Sequence, residues 1–336
     1  MSPWIQNLIV LASFALVTFL LRLGARNERW HRAWKILKRD HVGMVAGAMI
    51  GLYLLIGGLD LLLLSPSKSV LDWILRDVVH LIDEPTKASY SEPLAKVTFS
   101  LDNPAPLAYP GRHLLGTTQL GKDTLVQALK GCSTALILGG LTSAIYLPIG
   151  TLLGISAGYF RRWVDDLVQY LYSTVAAIPE ILLLISLLMV LGKGLGTMSI
   201  ALATTSWVGI CRLLRGETMR LGERQFIAAA RSIGQKHEKI IVRHLLPNVM
   251  HLVLINFVLG FSGIVLTEAI LSYLGVGTPI GTSSWGQMID GARAELGREP
   301  LIWWNLAAAT AALFGLVLSL NIFADSLRRA FDPRRG

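Results

Sequence analysis

Two carboxylates sit where carboxylates are expensive. Glu180 and Glu268 each fall within an apolar run long enough to cross a bilayer. An ionisable side chain in such a run marks a path across the membrane by default, unless it lies near a helix end or bonds to a neighbouring helix. Glu180 follows Pro179, so it can also serve the first turn of a helix, where negative charge is favoured. Both residues are candidates for lining a translocation path. No paired carboxylates and no Ser-His-Asp or Cys-His set can be assembled, so no catalytic residue is assigned.

GTTQLGKDT, from Gly116 to Thr124, is one residue short of a phosphate-binding loop. That loop needs a hydroxyl after its lysine to hold magnesium. Asp123 stands there instead and would repel phosphate, and no strand precedes the segment. The chain is therefore expected to hold no nucleotide. His237-Glu238 does not extend to HExxH, because Ile241 occupies the second histidine position. Cys132 and Cys211 are far apart and form no CxxC spacing, which excludes a disulfide framework and a zinc site. No metal is expected.

The elements that must position these residues are membrane spans. The 336 residues are 53% hydrophobic and 16% charged, against about a quarter charged in a soluble domain. Seven stretches meet the roughly 20 apolar residues a bilayer core requires: about Pro3–Leu21, Val42–Leu64, Ser133–Tyr159, Leu167–Leu191, Thr197–Leu213, Val249–Leu271 and Trp303–Ala324. If they alternate, Arg22–Arg39, Arg161-Arg162, Arg212–Arg243 and Arg328–Arg335 fall on one side and hold 21 of the 31 Lys and Arg. The positive-inside rule puts that side in the cytoplasm, with the N-terminus outside and the C-terminus inside. The net charge of +9 is then a topology signal and not a nucleic-acid signal. Positive charge follows the first apolar run, where a signal peptide would carry it before, so an uncleaved helix is expected.

An external segment, about residues 65–131, lies between the second and third spans. SVLDWILRDVVHLIDE puts Leu71, Ile74, Leu75, Val78 and Ile82 on one helical face, with Asp72, Arg76 and Asp83 opposite. Thr86 to Arg112 reads as loop with one strand, KVTFSLD. Between the fifth and sixth spans runs FIAAARSIGQKHEKIIVRHLLPN, Phe226 to Asn248. A short helix, Arg224 to Ile233, would present Ala228, Ala229 and Ala230 as a flat surface. Gly234 would end it, since glycine takes the left-handed conformation cheaply. A second helix would carry Lys236 to Leu246 and stop at Pro247, with Asn248 as N-cap of the next span. These residues alone allow either a docking role or simple connection.

The spacing A-A-R-x-x-G, nine residues, then H-L-L-P-N resembles the EAA loop of bacterial ABC importer permeases. HLLGTTQLGKD, TEAILSYLGVG, SSWGQMI and ADSLRRAFDPR are similar to further motifs of the dipeptide and oligopeptide branch, in family order, from Trp34 to Arg334. The resemblance implies an all-α polytopic protein with a six-helix permease core, residues 42–336. Residues 1–41 would add a transmembrane helix and a basic cytoplasmic linker. It implies the C-type subunit of a peptide, nickel or opine importer in the bacterial inner membrane. Its partners would be the lipid bilayer, a B-type permease, two cytoplasmic ATPases that bind ATP and Mg, and an extracytoplasmic solute-binding protein. The cytoplasmic loop, about residues 214–248, would couple to an ATPase through Ala228, Ala229, Ala230, Arg231, Gly234, His244, Leu246 and Pro247. Ala228 and His244 depart from the family's usual Glu and Ile, and Thr118 and Lys122 replace Asp and Arg. The alternative is a self-sufficient ion-coupled transporter, which would need facing charges at mid-membrane and broken helices in related halves.

Overall fold

A computed structural model of the chain describes residues 4, 6–8, 10–12, 28–65, 68–79, 90–97, 106, 111, 113–279, 281–299 and 301–331. Most of the first expected span, Pro3–Leu21, and most of the Thr86–Arg112 loop lie outside them. The chain divides into two units: Met1–Ile137 with Val265–Ala330, and Leu138–Ile264 with Phe331–Gly336.

In the first unit, the amphipathic helix α1 (Glu28–Arg39) turns at Asp40 into α2 (His41–Leu61). Asp40 caps α2 by accepting from the Gly43 N–H at 3.2 Å, which satisfies one of the donors a helix start leaves open. Arg329, near the end of α12 (Trp304–Phe331), donates to the same carboxylate at 2.7 Å. Hydrogen bonds from Arg329, Ser326 and Gly43 hold Asp40 well below its usual range, at about 2. The two helices approach closely: a Cβ on Gly43 would stand 2.5 Å from Ser326 Oγ. Further along, Tyr53 donates to the Ala312 carbonyl at 2.9 Å.

Past α2, a short antiparallel pair, β1 (Leu63–Ser65) and β2 (Lys68–Ser69), leads into α3 (Val70–Val79). The expected amphipathic helix is present over its described part, but its exposed face needs correction. Asp72 is buried, whereas Trp73 and Ile74 are exposed. Ser69 and Asp72 cap α3 reciprocally, at 3.0 and 3.1 Å, and Lys130 pairs with Asp72 at 2.6 Å. A buried carboxylate is tolerable only when paired in this way. Of the expected strand, Val97 bridges Pro106; the rest lies outside the described residues. Asn7 exchanges two 2.7 Å hydrogen bonds with the Leu63 backbone.

α4 (Thr124–Phe160) is a 37-residue helix. In the second unit it packs on α7 (Leu195–Gly222) through glycines at a spacing of four. Cβ atoms on Gly150, Gly154 and Gly158 would come within 2.9, 2.7 and 2.6 Å of the carbonyls of Trp207, Cys211 and Arg215. Small residues in this pattern let membrane helices meet backbone to backbone.

The stretch Leu167–Leu191, expected as one span, is broken in two. It forms α5 (Arg162–Ala176) and α6 (Glu180–Leu191), bent by 85°. Pro179 is the reason: it donates no N–H, and its ring clashes with the carbonyl four residues back. α5 is tied to α7 by a two-pronged contact of Arg215 with Asp165, at 2.5 and 2.7 Å. The Arg212 guanidinium also lies 4.7 Å from the centre of the Tyr172 ring. Counting the broken pair as one, six segments among the described residues are long and apolar enough to cross a membrane. The protein is all-α and membrane-spanning.

The glycine contacts and the Asp40 cap can both be checked by substitution. Gly154→Leu overpacks the α4–α7 contact, a fault that costs about 1–3 kcal/mol. Its melting temperature in detergent should fall clearly below that of Gly140→Leu, where a Cβ meets nothing within 4 Å. Equal losses at the two sites would contradict the packing. For Asp40, the lowered pKa means that its stabilisation is complete above the ordinary value of 3.8 and is lost as pH falls through about 2. Asp40→Asn should therefore melt below wild type by a constant gap at neutral and mildly acidic pH. That gap should close only at the acid extreme.

Candidate functional site

The segment between the last two spans of the second unit is a hairpin of helices locked by one glycine. α8 (Gln225–Ser232) ends at Gly234, whose φ is +72°. The Gln235 N–H reaches the Ala230 carbonyl at 3.1 Å and the Gly234 N–H reaches that of Arg231 at 3.0 Å. This pair of bonds closes the helix end and needs the left-handed residue between them. The expected glycine stop is where the sequence puts it.

The second arm of the hairpin differs from expectation. Pro247 does not stop the second helix, and Asn248 does not cap the next. From α9 (His237–Ile240) the chain passes through a π-helical turn, Ile241–Leu245, into α10 (Leu246–Tyr273). A π turn admits one extra residue, and here its closing bond runs from the Leu246 N–H, just before Pro247, to the Ile241 carbonyl. Asn248 instead donates its side-chain amide to the His244 carbonyl at 2.5 Å. The alanines are divided too. Ala228 and Ala229 are exposed, while Ala230 turns inward with Ile227, because three consecutive helical residues cannot share one face.

The hairpin is braced from both sides. His244 Nε2 pairs with Gln235 Oε1 at 3.1 Å, and the His244 ring lies against Phe226. Tyr159, at the end of α4, meets His237 Nδ1 at 2.8 Å. The Arg231 guanidinium stacks over the same tyrosine ring at 4.9 Å. Leu246 is half-buried and Pro247 exposed. The outward surface carries Phe226, Ala228, Ala229, Ile233 and Val242, with Ile233 73% and Val242 63% exposed. Sequence reasoning missed Tyr159, Phe226, Ile233 and Val242. Apolar residues at the end of a span or in a short helix carry no signal that separates a brace or a docking face from core.

The two carboxylates have unlike surroundings. Glu180 opens α6 at the break and is exposed; Thr205 Oγ1 lies 3.2 Å from its Oε1. Glu268, on α10 in the first unit, is 4% exposed and accepts from Ser272 Oγ at 2.7 Å. α11 (Trp285–Glu295) presses Gly286 against it so tightly that a Cβ there would stand 3.1 Å from the carboxylate. They belong to different units.

The loop resembling a phosphate site has an internal occupation. Asp123 Oδ1 accepts from the Val126 N–H at 3.0 Å, and Oδ2 faces His113 Nδ1 at 3.1 Å. A carboxylate thus fills the start of α4, the position that a phosphate would need. Thr124 and Asn305 bond at 2.5 Å, and Trp304 donates to the Thr117 carbonyl at 2.9 Å. Gly116, at φ +72°, leaves room for that indole; a Cβ there would come within 2.9 Å of it. Among the described residues no cluster of His, Cys, Asp and Glu could hold a metal ion.

Comparison with known proteins agrees with this architecture. Residues 150–336 match the family described as the binding-protein-dependent transport system inner membrane component. The chain is 30% identical over 305 residues to the dipeptide transport system permease protein DppC of Alkalihalophilus pseudofirmus, covering 91% of this chain and 90% of that one. It is 31% identical over 305 residues to the glutathione transport system permease protein GsiD of Shigella dysenteriae, with the same coverage. The oligopeptide transport system permease protein OppC of Bacillus subtilis is 31% identical over 222 residues, which is 66% of this chain and 72% of that one. A helical, multiply spanning chain that matches the family over more than half its length, and full-size permeases over nine-tenths of it, belongs to the inner membrane components of binding-protein-dependent transport systems.

Proposed function

We propose that this permease subunit forms half of the path for a peptide or a similar small solute, and that the hairpin from Gln225 to Pro247 couples it to a cytoplasmic ATPase. The observation that carries this reading is the outward surface of the hairpin. Ala228, Ala229, Ile233 and Val242 stand exposed on a segment whose backbone is fixed by Gly234 and braced through Arg231, His237 and His244. A mere connector needs neither a rigid frame nor an apolar exterior; a docking face needs both. Ala229 leaves room for close approach, and Pro247 with the π turn sets the direction in which the next span leaves.

Peptide as cargo is drawn from relatives named for oligopeptide, dipeptide and glutathione transport. The family works with ATPases and a binding protein, so ATP and Mg belong to the partner subunits and cargo is delivered by the external partner. A second permease of the B type would complete the path, and two ATPases would drive it. Glu180 lines the path at the break between α5 and α6. Glu268, enclosed by Ser272 and Gly286, supports the adjoining fold and meets no solute. Family membership stands against a self-sufficient ion-coupled transporter.

The orientation we propose is N-terminus outside and C-terminus in the cytoplasm, with an additional N-terminal span. Support comes from the basic residues and from Asn7. It bonds at the Leu63 end of α2, while α1 begins the approach to its His41 end.

Transport in reconstituted vesicles tests the coupling. Ala229→Trp and Gly234→Val should insert and assemble with the partner permease but lose most transport. The first should fail by obstructing the docked face. The second should fail because a β-branched residue is strained at φ +72°. Lys236→Ala, on an exposed site, should remain near wild type. Wild-type transport by both loop variants would reduce the hairpin to a connector. Topology is checked separately with single cysteines. Position 2 should react with an impermeant reagent from outside and position 336 only from the cytoplasmic side; labelling of both from one side rejects the orientation.

A further inference from the structure

Glu180 is an anion without a matching cation. Thr205 is its hydrogen-bond partner, and the Thr205 hydroxyl is also 3.1 Å from the Leu202 carbonyl. A hydroxyl has one proton to give, whereas a carboxylate offers about four lone-pair sites. Among the described residues no Lys, Arg or His forms an ion pair with Glu180. Glu180 stands in the first turn of α6, where the helix end favours its charge. The helix end accounts for a negative charge at this place but leaves most of the carboxylate's acceptor sites open.

Depth sharpens the point. Thr205 precedes Arg212 by seven residues and Arg215 by ten on α7, so it lies about 10–15 Å from the charged end of that helix. In an apolar core about 30 Å thick this is near the middle. The break at Ala177–Pro179 also leaves backbone groups without helical partners at this level. Neither a naked carboxylate nor an open backbone can face lipid at such depth, but both are tolerated where they line water. Ile178 and Ile181, next to Glu180 in the chain, are exposed as well.

We infer that Glu180 and Thr205 form a subsite for the primary ammonium group of the solute in transit. The carboxylate supplies charge and two acceptor oxygens, and the threonine oxygen accepts a further N–H when its own proton turns to the Leu202 carbonyl. The subsite rests on the reading of this chain as a permease whose path passes Glu180. It adds what is held there: an amino-bearing solute, engaged by its ammonium end.

The test uses the complete transporter in vesicles with Cys132→Ala and Cys211→Ala, and reads modification of this chain by mass spectrometry. Thr205→Cys is treated with membrane-impermeant methanethiosulfonates, one bearing trimethylammonium and one bearing sulfonate. Their rate ratio is compared with that on free cysteine. The cationic reagent should gain about tenfold or more over the anionic one, equivalent to about 1.4 kcal/mol, and Glu180→Gln should abolish the gain. The exposed Thr204→Cys serves as a second reporter should position 205 not tolerate the change. No reaction with either reagent at either reporter would put this surface against lipid or protein, and would sink the placement of the path as well. Reaction without cation preference, or a preference that survives Glu180→Gln, leaves the path standing and overturns the ammonium subsite alone.

Discussion

A bilayer core offers no hydrogen bonds, and nearly every unusual feature of this chain answers to that constraint. Wherever a helix breaks, a charge is buried or a proline removes a donor, some other group must take up the slack or water must reach the place. Pro148 lies inside α4 without ending it. Pro247 is accommodated by a π turn and by the Asn248 amide on the His244 carbonyl. At Pro179 nothing comparable intervenes: the helix breaks and bends by 85°. Pro148 and Pro179, both within apolar stretches, thus have different outcomes, and Pro247, exposed on the hairpin, has a third.

Close approach is handled by the same economy. With lipid as solvent, apolar burial does little to bring helices together, and contact depends on shape. Gly150, Gly154 and Gly158 put α4 against α7 almost backbone to backbone, and Gly43 makes room on α2 for the Ser326 side chain of α12. Charged contacts then fix the ends. Asp40 with Arg329 and Asp165 with Arg215 are ion pairs at or near helix starts, where a carboxylate also meets the positive end of the helix dipole. The polar network around His113, Asp123, Thr124 and Asn305 ties the start of α4 to that of α12.

The hairpin after α7 reverses these priorities. Its frame is as tightly bonded as the spans, yet it keeps Ile233 and Val242 on the outside. Rigid backbone beneath an exposed apolar face is costly for a chain alone, and makes sense for one that meets another protein there. The coupling we propose asks for this combination, because a flexible loop would absorb a displacement that a braced one passes on to α10.

Much of this was legible in the residues alone. Span length is a local property, so apolar runs located six of the membrane segments, although α4, α7 and α12 run seven to nine residues past the expected bounds. Gly234 announced a helix end because its conformation needs no tertiary help. Family motifs carried the functional class. Tertiary structure decided the rest, because the deciding groups come from elsewhere in the chain. Asp72 reads as surface until Lys130 arrives beside it. Asp123 reads as a spoiled phosphate loop until His113 and the Val126 N–H claim its two oxygens. Ala228 to Ala230 read as one surface, but packing of Ile227 turns Ala230 inward. Pro179 marked Glu180 as a helix-start residue, but nothing in the sequence told the burial of Glu180 from that of Glu268. Only the fold could enclose one behind Ser272 and Gly286 and leave the other open at a broken helix, because burial is a property of neighbours and not of the residue itself.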